Sequence, residues 1–268
     1  MHCRNLFLSR WALICPVKPL LSGSSISNMA VGDQVFGVTN TQFLGAYAEY
    51  AVASAAMIAK KPSSLSYVEA ASVPVVAVTA WQGLFDQARL EAGQTVVIHG
   101  AQGTSEPTRF SSRVALACAR SRRREPKTSI TCGTLGADKV VDYHTQRFED
   151  EVKDADAVLD LVGGETQMRS FQVLRLDGKL ISTVSQPDQD RAKHHGVNAA
   201  FFLVEVSTER LRRIAELIDR GELKTRGAVL PLADAREAHM MLEGRRPLPR
   251  GKIILNVEAT GEITPAAG

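Results

Sequence analysis

Thr95-Val-Val-Ile-His-Gly-Ala-Gln-Gly103 decides how this chain is read. Val96, Val97 and Ile98 are three consecutive β-branched residues, the short apolar run of a strand buried on both faces in a parallel sheet. That run empties into Gly100, Ala101 and Gly103. A strand entering a glycine turn that opens a helix is the first element of a dinucleotide-binding unit. Glycine lets the backbone approach a pyrophosphate, and the helix start offers free N–H groups and a positive dipole end. The continuation breaks the pattern. After Gly103 the chain runs Thr-Ser-Glu-Pro-Thr-Arg-Phe110, where a third glycine and an apolar helix are expected.

The break extends through residues 104–133. Arg109, Arg113, Arg120, Arg122, Arg123, Arg124 and Lys127 face only Glu106 and Glu125 there, so the segment carries +5 of the chain's net +3 and the remainder sums to −2. Cys118 and Cys132 lie inside it, and the other two cysteines, Cys3 and Cys15, lie at the start. Their spacing fits neither a disulfide framework nor a zinc site. The rest of the chain has no cysteine, which suits a cytoplasmic protein.

Upstream of the decisive strand, Val31-Gly-Asp-Gln-Val-Phe-Gly37 reads as a turn into a short strand, and residues 45–52 alternate like a half-buried strand that would include Tyr47 and Tyr50. Ser66 with Glu69 three residues on signals a helix start, and Pro74 inside residues 65–88 implies either two helices or one kinked helix. Downstream, β/α alternation resumes. Strands are expected at 139–143, 155–163, 178–184, 199–204, 228–232 and 251–257. Helices are expected at 146–153, 165–175, 208–221 and 233–243, and the polar residues after Glu258 read as an unstructured tail. Strands spaced by helices give an α/β fold with a doubly wound parallel sheet. Its 268 residues suffice for a substantial core, and no apolar run is long enough to span a bilayer. Arg10 interrupts the apolar start and no small-residue cleavage site follows, so residues 1–27 are not expected to be a signal peptide.

The ordered motifs resemble the zinc-independent medium-chain dehydrogenase/reductases of the quinone oxidoreductase-like branch. The resemblance is carried by Val31-Gly-Asp-Gln-Val-Phe-Gly37, Gly45-Ala-Tyr-Ala-Glu-Tyr50, Ala70-Ala-Ser-Val-Pro74, Thr79-Ala-Trp81 and Ile98-His-Gly-Ala-Gln-Gly103. It continues in Leu135-Gly-Ala-Asp138, Asp142-Tyr143, Asp160-Leu-Val-Gly-Gly164 and Gly251-Lys-Ile253. It implies a Rossmann-like dinucleotide-binding domain over 76–226, disrupted at 104–133. Remnants of a smaller, mostly-β, GroES-like substrate domain are implied at 31–75 and 227–257. Residues 1–30 are unmatched, as if most of the first half of that domain were missing.

The resemblance also implies function: metal-free transfer of hydride from NADPH to a quinone or an activated carbon–carbon double bond, with a homodimer as one assembly it allows. Family positions fall on Thr79 beside the nicotinamide, on Gly100, Ala101 and Gly103 at the pyrophosphate, and on Val162, Gly163 and Ser185 along the cofactor. Phe202 would close over the ring by resemblance, although Phe201 and Phe202 read by default as core. His99 either faces the cofactor or is a satisfied turn residue. Tyr143 either lies near the adenosine end or does not contribute. No acid–base dyad stands out, so no catalytic residue is named. His194-His195 reads as a loop pair rather than a metal site, because no acidic or cysteine partner is near. Arg122–Arg124 lack interleaved aromatics, which weighs against nucleic acid as a partner.

Residues 104–133 read as a frameshifted translation. With one choice of codons, Ser105 to Arg113 read one base earlier give VGTYAVQLA, the expected glycine turn and helix. Pro126 to Gly133 likewise give EDVDYLR, running into Thr134-Leu-Gly-Ala-Asp138. Net stabilities are only about 5–15 kcal/mol, so losing a central strand and the phosphate helix leaves weak NADPH binding or none as the expectation for the chain as written. The alternative function is then a non-enzymatic remnant with a basic loop.

Overall fold

A computed structural model describes residues 29–48, 50–91, 93–100, 141, 146–223, 227–249 and 252–257. They form two compact units. One holds the chain through Val78 together with the chain from Glu205, and the other is Thr79–Val204.

In the first unit the turn at Val31 leads into β1 (Val35–Gly37), which pairs antiparallel with β2 (Ile58–Lys60). α1 (Tyr67–Ala71) opens on a capping box: the Ser66 hydroxyl accepts the Glu69 N–H at 3.2 Å, and the Glu69 carboxylate accepts the Ser66 N–H at 2.8 Å. Pro74 cannot continue that helix, but its missing N–H costs nothing in a first turn, so it starts α2 (Pro74–Trp81).

The second unit opens at Thr79. The end of α2 runs on into π-helical turns at Gln82–Gln87, and then come β3 (Val96–His99), α3 (Phe148–Glu151), β4 (Ala155–Asp160) and α4 (Gly164–Ser170). β5 (Leu174–Ser182), α5 (Gln189–His195) and β6 (Asn198–Phe201) complete it. The four strands pair in parallel in the order β3-β4-β5-β6. Strand alternation sends Val97, Val158 and Leu180 to one face, where Phe148, Phe171 and Ala192 cover them. Val96, Leu159 and Ile181 go to the other, against Leu84, Ala88 and Phe85. Helical segments thus cover both faces, the doubly wound arrangement, and each fully buried Val, Leu or Phe favours it by roughly 1.5–3 kcal/mol.

The chain returns to the first unit with α6 (Thr208–Asp219), β7 (Gly227–Pro231), α7 (Ala235–Leu242) and β8 (Lys252–Asn256). α6 buries Leu211, Ile214, Ala215 and Ile218 along one stripe and packs against β2. The Asp219 carboxylate at its end accepts the Ser63 and Ser64 N–H groups at 3.2 and 2.9 Å. β7 and β8 run parallel over a small core of Leu230, Ala238 and Leu255.

Three local expectations are corrected. Residues 45–52 form bends and irregular backbone where described, not a strand; β1 takes β2 as its ladder partner, and Tyr50 and Val52 are 72% and 92% exposed. The helix expected at 165–175 ends early, because Leu174 extends to pair with Ala155 and begins β5. His194 and His195 close a helix rather than sit in a loop. Asp188 caps that helix by accepting the Asp190 and Arg191 N–H groups, and Gly196 ends it at φ 64°. Only Ala192 of this helix is buried, so it carries almost no apolar periodicity. The expected strand at 139–143 lies outside the described residues except for Val141, which is fully buried.

Candidate functional site at the carboxyl edge of the sheet

Open parallel sheets bind ligands beyond the carboxyl ends of their strands. Register brings four strand ends into one row there: His99 beside Asp160, Asp160 beside Ser182, and Ser182 beside Phe201. His99, Asp160 and Ser182 are all 0% exposed, as is Ser170 of α4. A fully buried polar row is costly unless its hydrogen bonds are made.

Asp160 makes four. Its Oδ1 accepts the Val162 and Gly163 N–H groups at 3.0 and 2.8 Å, which shapes the β4–α4 turn. Its Oδ2 accepts Gln167 Nε2 at 2.9 Å and the Ser182 hydroxyl at 3.0 Å. Gln167 Nε2 also approaches the Ser185 carbonyl and hydroxyl at 3.2 and 3.3 Å. The Ser182 hydroxyl oxygen in turn accepts the Val184 and Ser185 N–H groups at 3.2 and 3.4 Å.

His99 sits under this turn, edge-on to Phe148 with ring centroids 4.6 Å apart. The Ser170 hydroxyl gives its one proton to the Thr166 carbonyl at 2.7 Å, so His99 Nε2, at 2.9 Å, is the donor to Ser170. Nδ1 is then a bare lone pair, buried and without a partner among the described residues. Burial pushes the imidazole pKa down to about 4; Asp160 opposes that shift and Arg169 adds to it. Arg169 is ion-paired at 3.0 Å with the buried Glu149 and lies over the Phe148 ring.

The structure gathers part of the expected site. Gly100 follows β3 at φ 74°, where a Cβ would meet Val162 Cγ2 at 3.0 Å. Gly163 follows β4 at φ 78° and ψ −164°, and a Cβ there would stand 3.0 Å from Val184 and 3.6 Å from the Ser185 hydroxyl. The Gly100 turn therefore packs tightly on Val162 of the β4–α4 turn, the Gly163 turn packs tightly on Val184, and Ser185 is exposed beside them. Glycine turns at the carboxyl ends of adjacent parallel strands fit the approach of a dinucleotide. Phe202 is 6% exposed among Leu84, Ala88 and Ile181, on the face opposite His99, and its N–H donates to the Ser182 carbonyl at 3.0 Å. Thr79 is half-buried in α2. Ala101, Gly103 and Tyr143 lie outside the described residues. Sequence reasoning missed Gln167, Ser170, Ser182 and the role of Asp160. A polar residue closing a buried strand marks Asp160 and Ser182; nothing local marks the other two. Among the described residues no three His, Cys, Asp or Glu side chains gather as a metal site.

Comparison with known proteins fits this geometry. A family model described as zinc-binding dehydrogenase matches residues 135–255. The chain is 30% identical over 246 residues to a probable zinc-binding mitochondrial oxidoreductase of Arthroderma benhamiae, covering 84% of this chain and 73% of that protein. It is 27% identical over 273 residues to a mitochondrial NAD(P)H oxidoreductase of Mus musculus, covering 88% of this chain and 67% of that one. The solved quinone oxidoreductase of Coxiella burnetii superposes with a TM-score of 0.69 at 26% identity, covering 88% of this chain and 75% of that one. The chain belongs to the zinc-binding dehydrogenase family of medium-chain dehydrogenase/reductases, in its quinone oxidoreductase-like branch.

Proposed function

We propose that this chain is an oxidoreductase of the quinone oxidoreductase type that uses NADPH, without a metal, to reduce a quinone or an activated alkene. The observation that carries the proposal is the pair of positive-φ glycine turns, Gly100 after β3 and Gly163 after β4, at the carboxyl edge of adjacent parallel strands. The names of the oxidoreductase relatives support the redox class, and that of the Mus musculus relative the nicotinamide cofactor. When bound, the dihydronicotinamide supplies a hydride, and a proton completes the reduction. The chain's own part is to present backbone at Gly100, Val162 and Gly163, offer the Ser185 hydroxyl, and keep water out of the packed face behind them. The metal-free reading and the cytoplasmic setting rest on motif resemblance and cysteine use. A homodimer belongs to the same proposal.

A second reading, an inactive remnant, is favoured by one observation: residues 104–133 replace the rest of the glycine motif with basic text. Fluorescence titration of the purified chain with NADPH separates the two. Saturable binding with a Kd of about 1–100 μM, with NADPH oxidised on adding a quinone, supports the reductase. Absence of saturation supports the remnant. Sequencing the source gene across codons 95–140 then shows whether the frame is shifted.

A further inference from the structure

Asp160 divides its two oxygens between two tasks. Oδ1 closes the β4–α4 turn on the Val162 and Gly163 N–H groups. Oδ2 reaches sideways to Ser182 and Gln167, and both of those hold the segment after β5 through Val184 and Ser185. All four partners of the carboxyl are donors, so it acts purely as an acceptor. Asp160 is 0% exposed, Ser182 0% and Gln167 4%, so water cannot take the place of a lost bond without opening the edge.

We propose that Asp160 is a positioning residue that couples the β4–α4 turn to the Val184–Ser185 segment, fixing the distance between two pieces of backbone that receive one dinucleotide. The inference rests on the cofactor reading above for its purpose, but not for its geometry. The coupling is directional: Oδ1 sets the shape of one turn, while Oδ2 sets where the other lies relative to it. Gln167 is its second arm. Its N–H groups serve three acceptors, one on β4 and two on Ser185, so moving either turn breaks a bond on the other.

Asp160→Asn tests this, because one amide oxygen can still take the two turn N–H groups while the amide nitrogen cannot accept from Gln167 or Ser182. Amide hydrogen exchange is measured on the full chain without cofactor. The expected result is about tenfold faster exchange at Val184 and Ser185, with Val162 and Gly163 and the β3 amides unchanged. Gln167→Leu should reproduce the Ser185 part, and it serves as the readout if Asp160→Asn does not fold. Where the parent chain binds NADPH, Asp160→Asn should raise its KM about tenfold and leave kcat within about twofold. Unchanged exchange at Val184 and Ser185 in folded variants overturns the coupling. So does uniform acceleration that includes β3, which marks general destabilisation. A parent chain that binds no NADPH defeats the proposed function, while the exchange result still decides this one.

Discussion

The carboxyl edge of the sheet and the outer face of α6 both hold several charged or polar groups at ordinary hydrogen-bond distances, yet they do different work. On α6, Arg212 pairs with Glu209 at 3.2 Å and Glu216 at 3.3 Å, and Arg213 with Glu209 at 2.8 Å, with every side chain more than half exposed. The Arg213 and Arg212 hydrogen bonds hold the Glu209 carboxyl below its usual range, but water stands ready to replace them. Around Asp160 the same distances occur where nothing can replace a lost partner. Burial rather than bond length therefore sets the weight of each group, and the edge has few tolerated alternatives while the helix face has many.

The largest expected effect comes from lowering the pH. His99 has an unfolded pKa of 6.5 and a folded one of about 4, so between those values the unfolded chain takes up a proton that the folded chain excludes. The stability tied to neutral His99 is therefore full above about pH 6.5 and is lost as pH falls through that window, by roughly 3 kcal/mol in all. The charged groups around it, Asp160 on β4, Arg169 on α4 and Glu149 on α3, set the exact course. Urea unfolding at several pH values should show this slope, and His99→Gln, which can still donate to Ser170, should flatten it. An unchanged slope would mean His99 titrates normally.

A smaller effect is expected at Gly163, whose φ and ψ are accessible almost only to glycine. Gly163→Ala should destabilise by roughly 1–3 kcal/mol and push Val184 away from the turn. Urea midpoints read the first effect and exchange at Val184 the second. The smallest belongs to α6. Arg212→Ala should move the melting temperature by no more than about 2 °C, less still in high salt, and a larger drop in a calorimetric scan would show that the two regions do not differ as described.

Most elements were legible because their causes are local. The β-branched run at Val96, the Ser66–Glu69 box and the stripe of Leu211, Ile214 and Ile218 each announce themselves within a few residues. α5 was not legible, since a helix with one buried residue shows only its caps. The strand expected from Tyr47 and Tyr50 failed for the complementary reason: alternation proposes a strand, but only a partner ladder makes one.

The sequence by itself determined the parallel α/β alternation and the glycine turns after β3 and β4, which follow from short-range periodicity and backbone freedom, while the family likeness was carried by the order of its motifs. Only the tertiary structure decided that His99, Asp160, Gln167, Ser170 and Ser182 share one buried row. Those residues meet through strand register and the docking of α4, which are fixed by packing two faces of the sheet at once. Desolvation then turns ordinary polar side chains into acceptors and donors that must be satisfied, and that condition is written in no single stretch of the chain.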